Sequence, residues 1–497
     1  MQREIQALEQ NQTWTLTSPP KDKTLVDCKW TYRVKLKSDG SIERYKARLV
    51  AKGFTQIEGL DFHDTFAPVA KMTTIRCCLA LAATRGWPLF HLDVDNAFLH
   101  GTLEEEVYMR LPPGFYSKAK KEGKVCRLLK SIYGLKQASR QWFATLSDAL
   151  LQFGFVPSLH DSSLFTLKRG EDFLILLVYV DDILLTGTSL QLINSVKSFI
   201  HSRFRIKDLG NLKFFLGLEI TRSASGIFLH QRKYALEILE DAGFTNCKPC
   251  LIPMEIKHGL SLSSSSPLED PMPYRRLVGR FLYLAVTRPD LAYPVHILSQ
   301  FMQQPTVDHL NAAHKVLHYV KGAPSQGLFF PATSKLSLSA YCDADWAACP
   351  VTRRSISGYC VVLGSSLVSW KTKKQTLVAR SSAESEYRSM AAVCAELIWL
   401  TRLLRNLGCS IPCPITLYYD NTAAIHIARN SVFHERTKHI EIDCHFIRHQ
   451  VSTGFINPVH IASSKQPADL LTKPLSAAPR QHLFDKLGIS NFLHAPS

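Results

Sequence analysis

The sequence predicts a multidomain protein of mixed architecture, either α+β or α/β. Its 497 residues are too many for one ordinary hydrophobic core. The composition, 46% hydrophobic and 20% charged, is typical of a folded chain. Strand-like and helix-like patterns are interleaved along the chain, which favours sheets covered by helices.

Local patterns support the individual elements in chain order. Thr31 to Lys37 alternates in polarity, and Ser38-Asp39-Gly40 then predicts a hairpin turn. Residues 140–153 have apolar side chains at helical spacing. The further predicted elements are three helices between 273 and 330, two strands from 336, a long helix over 382–407 and a strand over 415–419.

Composition shifts divide the chain into regions. Residues 257–272 are rich in Ser and Pro without an amphipathic period, so we interpret them as a linker. A softer break covers 322–335. We therefore expect a first region over 1–256, a linker with helices over 257–335, an α/β domain over 336–478 and a tail over 479–497.

The charge balance points to a polyanionic partner. Lys and Arg number 59 against 42 Asp and Glu, a net charge of +17, which suits nucleic acid or an anionic membrane surface. The longest apolar candidate, Phe173 to Leu185, is short and contains Asp181 and Asp182, which argues against a membrane span. The first ten residues lack the apolar stretch of a secretory signal.

The cysteines indicate free thiols in a reducing compartment. Thirteen is an odd number, and they are scattered along the chain. Cys247–Cys250 and Cys409–Cys413 have zinc-like spacings, but neither has a second matching pair, so structural zinc is disfavoured.

A first group of acids lies within apolar segments. Leu174 to Thr186 predicts a hairpin with Asp181 and Asp182 at its turn, and a second apolar strand ends at Asp93. Adjacent carboxylates repel unless a cation lies between them, although a solvated turn is the alternative. Three such aspartates could hold two Mg²⁺ ions for phosphoryl transfer.

A second group of acids lies in the last region. Asp343 and Asp420 end strands, Glu386 lies in the first turns of the long helix, and Asp469 begins a short helical segment. Together these four could converge on a second two-metal site. Taken singly, each also fits a cap, a strand-end turn or a solvated position.

Several motifs then identify a resemblance to a known family. Along the chain they are RYKARLVAKGFTQ, FAPVAKMTTIR, LDVDNAFLHG, SIYGLKQASRQW, YVDD and LGNLKFFLGLEI. In this order they resemble the reverse transcriptases of copia-type LTR retrotransposons. The resemblance implies a right-hand polymerase of fingers, palm and thumb or connection. The helices after the linker would form the thumb or connection.

The resemblance implies roles by position. Asp93, Asp181 and Asp182 match the metal ligands, together with the Val94 carbonyl. The residues that match nucleotide or primer contacts are Lys46, Arg48 and Lys52 on the fingers hairpin, Phe98 under the deoxyribose, Tyr133 and Gly134 on the palm, and Leu216 and Gly217 at the primer end. Phe98 would exclude a 2′-hydroxyl, whereas Lys and Arg on a strand could instead form a solvated face. Asp95 and Ser139 depart from the family pattern, since a neutral or basic residue and a proline are expected there.

The last region resembles the ribonuclease H domain of the same family. The matching blocks include YCDADWA, SSAESEY, YYDN, RTKHIEID and QPADLLTK. By this comparison Asp343 is preferred to Asp345, and Glu386 to Glu384. His434, His439, His445 and His449 lack a cysteine pair with finger spacing, so surface or capping positions are expected, with His439 or His445 as candidates to assist product release.

The resemblance implies an RNA-directed DNA polymerase with a fused ribonuclease H. It implies two Mg²⁺ per active site, with Mn²⁺ as an alternative. The implied partners are an RNA template, a DNA primer, the RNA–DNA hybrid, dNTPs and other Gag-Pol products, and no membrane. The implied location is the cytoplasm, within a virus-like particle, with nuclear entry as a further step. The alternatives are an inactive remnant that binds hybrid, and a chain active only as a ribonuclease H.

Overall fold

The computed structural model describes residues 1–36, 41–422 and 441–492. The predicted turn at Ser38-Asp39-Gly40 and the residues His434 and His439 lie outside these ranges. The α-helices are α1 (Gln2–Gln10), α2 (Met72–Thr84), α3 (Ser117–Lys121), α4 (Ala138–Phe153), α5 (Leu190–Arg203), α6 (Arg232–Asp241), α7 (Met272–Leu284), α8 (Ala292–Ser299), α9 (Val307–Gly322), α10 (Ser382–Asn406), α11 (Glu441–Ser452) and α12 (Ala477–Leu487). Short 3₁₀ helices cover Gly53–Thr55, Ala97–His100, Leu260–Leu262, Pro289–Leu291, Ser463–Lys465 and Pro467–Leu471.

The described part of the chain also contains twenty-two strands. They are β1 (Trp14–Thr17), β2 (Leu25–Val26), β3 (Cys28–Leu36), β4 (Ile42–Ala51), β5 (Leu89–Val94), β6 (Thr102–Met109), β7 (Val125–Lys130), β8 (Val156–Pro157), β9 (Leu164–Arg169), β10 (Asp172–Tyr179), β11 (Asp182–Gly187), β12 (Ile206–Asn211), β13 (Phe214–Phe215), β14 (Leu218–Arg222), β15 (Gly226–His230), β16 (Gln326–Pro331), β17 (Leu338–Asp345), β18 (Ile356–Leu363), β19 (Ser366–Lys374), β20 (Ile415–Tyr419), β21 (Ile456–His460) and β22 (Ile489–Asn491).

The chain forms two compact units. The first unit contains residues 1–70 and 89–211, and the second contains 71–88 and 212–497. The first unit therefore ends earlier than the region expected over 1–256. The residues after 211 form strands of a sheet that includes β16 and β22, and this long-range pairing places them in the second unit.

In the first unit a six-stranded sheet, in the order β12-β5-β11-β10-β9-β8, carries the main core. Leu92 of β5 and Ile183 of β11 face the apolar sides of α4 and α5, in a cluster that also contains Leu146 and Val196. Because side chains alternate along a strand, the neighbouring residues of β5 and β11 point to the opposite face. That face carries the acids predicted for the first site.

Two smaller sheets complete the first unit. Strands β3 and β4 form an antiparallel hairpin, as the alternation around Thr31 predicts. The order of the other sheet is β1-β7-β6-β2. A second core cluster lies between these elements and includes Leu49 of β4 and Leu128 of β7.

The second unit contains a five-stranded sheet in the order β13-β14-β15-β16-β22 and a group of helices, α6 to α9. Strand β16 lies inside the segment 322–335 that we interpreted as a break. In the predicted linker, Leu260 is buried against the helices, and the Ser263 hydroxyl donates to Asp308 Oδ2 at 2.7 Å. These linker residues are therefore packed and hydrogen-bonded in spite of their composition.

The rest of the second unit is built on a sheet in the order β19-β18-β17-β20-β21. The first three strands are antiparallel, and β20 and β21 run parallel to β17. Helix α10 packs on β17 and β18 and buries Tyr387, Met390 and Leu397. The carboxyl ends of β17 and β20 thereby lie close to the first turns of α10, where the second group of acids was predicted.

The architecture confirms a mixed, multidomain α+β fold. Among the described helices, none has both the length and the apolar character needed to cross a bilayer.

Candidate active sites

The first cluster consists of Asp93, Asp181 and Asp182. Asp182 is the first residue of β11 and lies directly opposite Asp93 of β5. The predicted turn is therefore displaced by one residue, since it comprises Val180 and Asp181 and leaves Asp182 in the strand. Burial raises the pKa of Asp181, and the charges of Asp182 and Asp93 raise it further. Three like charges thus share one edge of the sheet.

The hairpin turn is held by contacts from other elements. Val180 has φ 56°, in the left-handed region that a β-branched residue adopts only at a cost. The buried Trp142 of α4 donates its indole N–H to the Val180 carbonyl at 2.7 Å. The Asp181 carbonyl accepts from the Val94 N–H at 2.9 Å. The turn that carries Asp181 is therefore tied to both a helix and the neighbouring strand.

Aromatic and basic side chains lie beside the first cluster. The Phe98 and Tyr133 rings meet edge to face with centroids 4.8 Å apart, and the Arg48 guanidinium lies 4.0 Å above the Tyr133 ring. The positive charge of Arg48 also acts on Asp181. Gly134 has φ 94°, and a Cβ there would collide with the Ala51 carbonyl oxygen, so only glycine fits.

The remaining residues that were predicted to contact the nucleotide or the primer lie on the β3–β4 hairpin, directly after it, or in the second unit. Lys52 is 2.6 Å from Asp27 in an ion pair, and Lys46 lies opposite Arg33 on the β3–β4 hairpin. Leu216 and Gly217 belong to the second unit, at the turn between β13 and β14.

The two departures from the family pattern lie on different elements of the first unit. Asp95 is paired with Lys207 at 2.9 Å, so its additional negative charge has a cationic partner. Ser139 lies in the first turn of α4.

The second cluster consists of Asp343, Glu386, Asp420 and Asp469. One oxygen from each of Asp343, Glu386 and Asp420 lies within 4.8 Å of the other two. In the part of the chain that the structure describes, no other trio of Asp, Glu, His or Cys ligand atoms, including those of the first cluster, meets this spacing. The structure therefore brings three of the four predicted acids into a ligand-like arrangement.

Neither of the alternative acids belongs to this trio. Glu384 accepts from the Arg380 N–H at 2.7 Å and pairs with Arg388 at 2.9 Å. Glu386 instead accepts from the Ala344 N–H at 3.2 Å. Asp345 is two residues beyond Asp343 at the end of β17, and burial raises its pKa.

Hydrogen-bond donors from distant parts of the sequence surround the second cluster. The Thr472 hydroxyl donates to Asp343 Oδ2, and the Ser463 hydroxyl donates to Asp420 Oδ2 at 2.6 Å. Lys473 Nζ lies 2.9 Å from Asp469 Oδ1. Thr472 and Lys473 both belong to the motif QPADLLTK, but neither was predicted from the sequence as a partner of the acids. The position of Lys473, four residues after Asp469 in a helical segment, was a usable signal.

Burial dominates the electrostatics of the second cluster. It raises the pKa of Glu386 to about 9, with further contributions from Asp343 and Asp420. It also raises the pKa of Asp469 to about 7 and that of Asp343 above its ordinary value. Burial opposes charge on Lys473, but Asp343 and Asp469 outweigh it and raise the lysine pKa.

Both clusters have the chemistry of a divalent-cation site. In the second, the buried Glu386 Oε2 has no hydrogen-bond partner in the described residues, although burying an unpartnered carboxylate oxygen is costly. In the first, no Lys or Arg within the described ranges forms an ion pair with any of the three aspartates. An unpartnered buried carboxylate oxygen in the second cluster, and three carboxylates without a Lys or Arg ion pair in the first, fit a hard cation such as Mg²⁺.

One histidine lies at the first cluster, and one of the predicted histidines lies on α11. His91, which sequence reasoning missed, places Nε2 2.6 Å from Asp182 Oδ1. Its position two residues before Asp93 on the same strand was a usable signal, because such residues share a face. His445 of α11 is exposed and lies 3.8 Å from Glu441. His439 lies outside the described residues, so its predicted role stays a prediction.

A family model described as reverse transcriptase (RNA-dependent DNA polymerase) matches residues 11–256. Two retrovirus-related Pol polyproteins of Arabidopsis thaliana, from transposons RE2 and RE1, are 48% and 47% identical to this chain. The matches cover 98% and 99% of this chain but 34% and 33% of those proteins. The chain therefore spans about a third of the length of these relatives.

A shorter relative and a solved structure add to the comparison. A putative transposon Ty5-1 protein of Saccharomyces cerevisiae is 33% identical over 62% of this chain and 100% of its own length. A foamy viral protease-reverse transcriptase in complex with an RNA/DNA hybrid gives a TM-score of 0.49 at 12% identity, over 93% of this chain and 53% of that one.

Proposed function

The chain belongs to the Pol polyproteins of copia-type retrotransposons, and on that premise we propose that it is an RNA-directed DNA polymerase with a fused ribonuclease H. The observation that carries the proposal is the presence of two separate carboxylate clusters in one chain, each at the edge of a buried sheet. The polymerase is assigned to the first unit and the ribonuclease to the second.

In the polymerase reaction the primer 3′-hydroxyl attacks the α-phosphate of a dNTP, a new P–O bond forms, and pyrophosphate leaves. Asp93, Asp181 and Asp182, with the Val94 carbonyl, would hold two Mg²⁺ ions, which neutralise charge on the attacking and leaving oxygens. Arg48 would contact the triphosphate, since a guanidinium suits phosphate oxygens.

The nucleotide pocket has a wall of aromatic side chains. Phe98 packs edge to face on Tyr133, which in turn lies under Arg48, so the Phe98 ring is supported from behind. A supported ring under the sugar would reject a 2′-hydroxyl by steric contact and select dNTPs over ribonucleotides. Lys46, Lys52, Gly134, Leu216 and Gly217 are proposed to contact the nucleotide, the template and the primer end.

In the ribonuclease reaction water attacks a phosphodiester of the RNA strand in the hybrid, a new P–O bond forms, and one bridging P–O bond breaks, which leaves a phosphate on one fragment and a hydroxyl on the other. Asp343, Glu386, Asp420 and Asp469 would hold the Mg²⁺ pair, with Mn²⁺ as a substitute. Thr472 and Ser463 orient two of these carboxylates by hydrogen bonds. The net charge of +17 supports phosphate contacts that do not depend on sequence.

The proposed partners are an RNA template, a DNA primer, the RNA–DNA hybrid, dNTPs and other Gag-Pol products. The proposed location is a virus-like particle in the cytoplasm, followed by nuclear entry. A second candidate function, ribonuclease H alone, is favoured by one observation. Only in the second cluster, within the described residues, do three ligand atoms lie within 4.8 Å of one another.

Primer extension on an RNA template with Mg²⁺ and dNTPs tests the polymerase. We expect incorporation that is lost in Asp181→Asn and retained in Asp148→Asn, the same substitution at an exposed position of α4 in the same unit. Hybrid binding without incorporation by the wild-type chain would contradict the polymerase. Cleavage of the RNA in that hybrid would then support the ribonuclease alone, and no cleavage would indicate an inactive remnant.

A further inference from the structure

We propose that His91 is a positioning residue for the first carboxylate cluster. Its imidazole N–H fixes one oxygen of Asp182 and leaves the other oxygen of that carboxylate to a divalent cation shared with Asp93. The inference rests on the proposed metal site of the polymerase.

The register of two strands brings His91 to Asp182. Asp182 of β11 lies opposite Asp93 of β5. The next pair on the same face is His91 and Leu184, two residues further along each strand. Residues two apart on a strand share a face, so His91, Asp93 and Asp182 all lie on the face away from α4 and α5. The His91 ring therefore spans the diagonal to Asp182 and places Nε2 2.6 Å from Oδ1.

The chemistry of the pair assigns the donor. An ionised carboxylate has no proton to give, so the His91 Nε2 carries the hydrogen and Asp182 Oδ1 accepts it. The two side chains are 13% and 29% exposed, so water competes little for the imidazole and more for the carboxylate. One oxygen of Asp182 is thus held by the protein, while the carboxylate keeps lone pairs for a further ligand.

The hydrogen bond from His91 counters the repulsion between two carboxylates. Asp93 lies opposite Asp182 on the neighbouring strand and repels it, so an unrestrained Asp182 would turn away from the cluster. The bond from His91 Nε2 to Asp182 Oδ1 opposes that movement. Donors of this kind, which orient a ligand from behind, commonly affect metal affinity about 10–100-fold when removed.

Metal-directed cleavage of the full chain tests the inference without a turnover assay. Fe²⁺ with ascorbate and peroxide replaces Mg²⁺ and cuts the backbone beside each metal position. We expect cuts near residues 93 and 181–182 and near 343, 386 and 420 in the wild-type chain. In His91→Phe, which keeps a ring but has no donor, the Fe²⁺ concentration for half-maximal cutting at the first cluster should rise about 10–100-fold.

Two further variants and an internal reference complete the design. His91→Gln restores an N–H donor and should recover most of the wild-type response. His201→Phe, at an exposed position of α5 in the same unit, should leave both clusters unchanged. Cutting at the second cluster of each variant reports whether the second unit is folded, and recovery of first-cluster cutting in His91→Gln reports that the first unit tolerates a substitution at this position.

Each outcome bears on one proposal or the other. An unchanged first-cluster response in His91→Phe, an equal shift in His91→Gln, or tighter Fe²⁺ binding in His91→Phe would overturn the role of His91. Cuts at the second cluster but none at the first, in the wild-type chain, would overturn both the polymerase metal site and this inference. A shift in His91→Phe beside an absence of primer extension would leave the inference standing and the polymerase refuted.

Discussion

The two carboxylate clusters differ in how much of their charge the protein itself balances. The second cluster has Lys473, Thr472 and Ser463 as partners and has three ligand atoms within 4.8 Å of one another. The first lies at a hairpin tip, has His91 as its side-chain donor, and does not reach that spacing. The fold thus brings the acids of the second cluster closer together than those of the first and gives them more hydrogen-bond partners.

This difference follows from where the acids are placed. In the second cluster Asp343 lies in β17, Asp420 directly follows β20, Glu386 lies in α10 and Asp469 lies in a 3₁₀ helix. Burial there raises the pKa of Glu386 to about 9. In the first cluster the acids come from two neighbouring strands and the turn between β10 and β11. The proposed polymerase needs room for a triphosphate and a primer end at the first cluster, while the proposed ribonuclease can cut a hybrid strand at a preformed site.

The largest expected effect separates the clusters by activity. Asp343→Asn should reduce RNA cleavage at least about 100-fold, because a metal site supplies several kcal/mol of transition-state stabilisation. Primer extension by the same variant should stay within about twofold, and Asp345→Asn should retain most RNA cleavage. Gel assays of both activities on one hybrid measure this. Equal losses would show that the activity does not distinguish the two aspartates, and a larger loss in Asp345→Asn would assign the metal to Asp345.

A smaller effect is expected at the turn of the first cluster. Trp142→Phe removes the hydrogen bond to the Val180 carbonyl and some buried volume, which should destabilise the first unit by about 2 kcal/mol. Primer extension should fall while RNA cleavage stays unchanged. Urea unfolding followed with both assays measures it, and Trp14→Phe, at a partly buried position on β1, is the matched control. A parallel loss of both activities would mean that the clusters are not independent.

The second cluster should also respond to pH when metal is absent. The folded state raises the Glu386 pKa to about 9 and the Asp469 pKa to about 7, so it retains protons that the unfolded chain releases. Stability in EDTA is therefore fully present in mild acid and decreases as pH rises through these values. We expect the Tm to fall by several degrees between about pH 5 and 8.5, and Mg²⁺ to reverse the loss. Glu386→Gln should flatten this slope, and an unchanged slope in that variant would assign the effect to other groups.

The smallest effect concerns Lys473, whose ammonium group pairs with Asp469 in the second cluster. Lys473→Gln removes the partner of Asp469, and since Lys473 is partly exposed we expect a loss of about 1 kcal/mol in EDTA. Mg²⁺ should restore more stability to this variant than to the wild-type chain, because the ion replaces the missing charge. Calorimetric unfolding with and without Mg²⁺ tests this beside Lys465→Gln, an exposed control. Equal Mg²⁺ stabilisation of both would refute the compensation.

The sequence singled out the acids but not the side chains that contact them. Asp93, Asp181 and Asp182 stand out because carboxylates within apolar strands are costly without a purpose. The helix over 140–153 and the hairpin of β3 and β4 also follow their local patterns. His91 was overlooked because a histidine on a strand has no distinctive period, although it contacts a residue 91 positions away.

Domain organisation was less accessible from the sequence. Residues 257–272 have a linker composition, yet Leu260 is buried among the helices of the second unit. Residues 71–88, within the predicted first region, belong to the second unit, where the buried Arg76 donates to the Val368 carbonyl at 2.8 Å and stacks on Trp370. Composition describes what a segment prefers on its own, and these segments are positioned by partners far away in the chain.

The sequence by itself determined the fold class, the family resemblance and the acidic motifs, because these depend on local alternation, helical spacing and residues close together in the chain. The tertiary structure alone decided which oxygens converge and what orients them. Thr472 reaches Asp343 across 129 positions, and Ser463 reaches Asp420 across 43. Such contacts depend on sheet order and strand register, which are settled only when the whole core packs, and no local pattern encodes them.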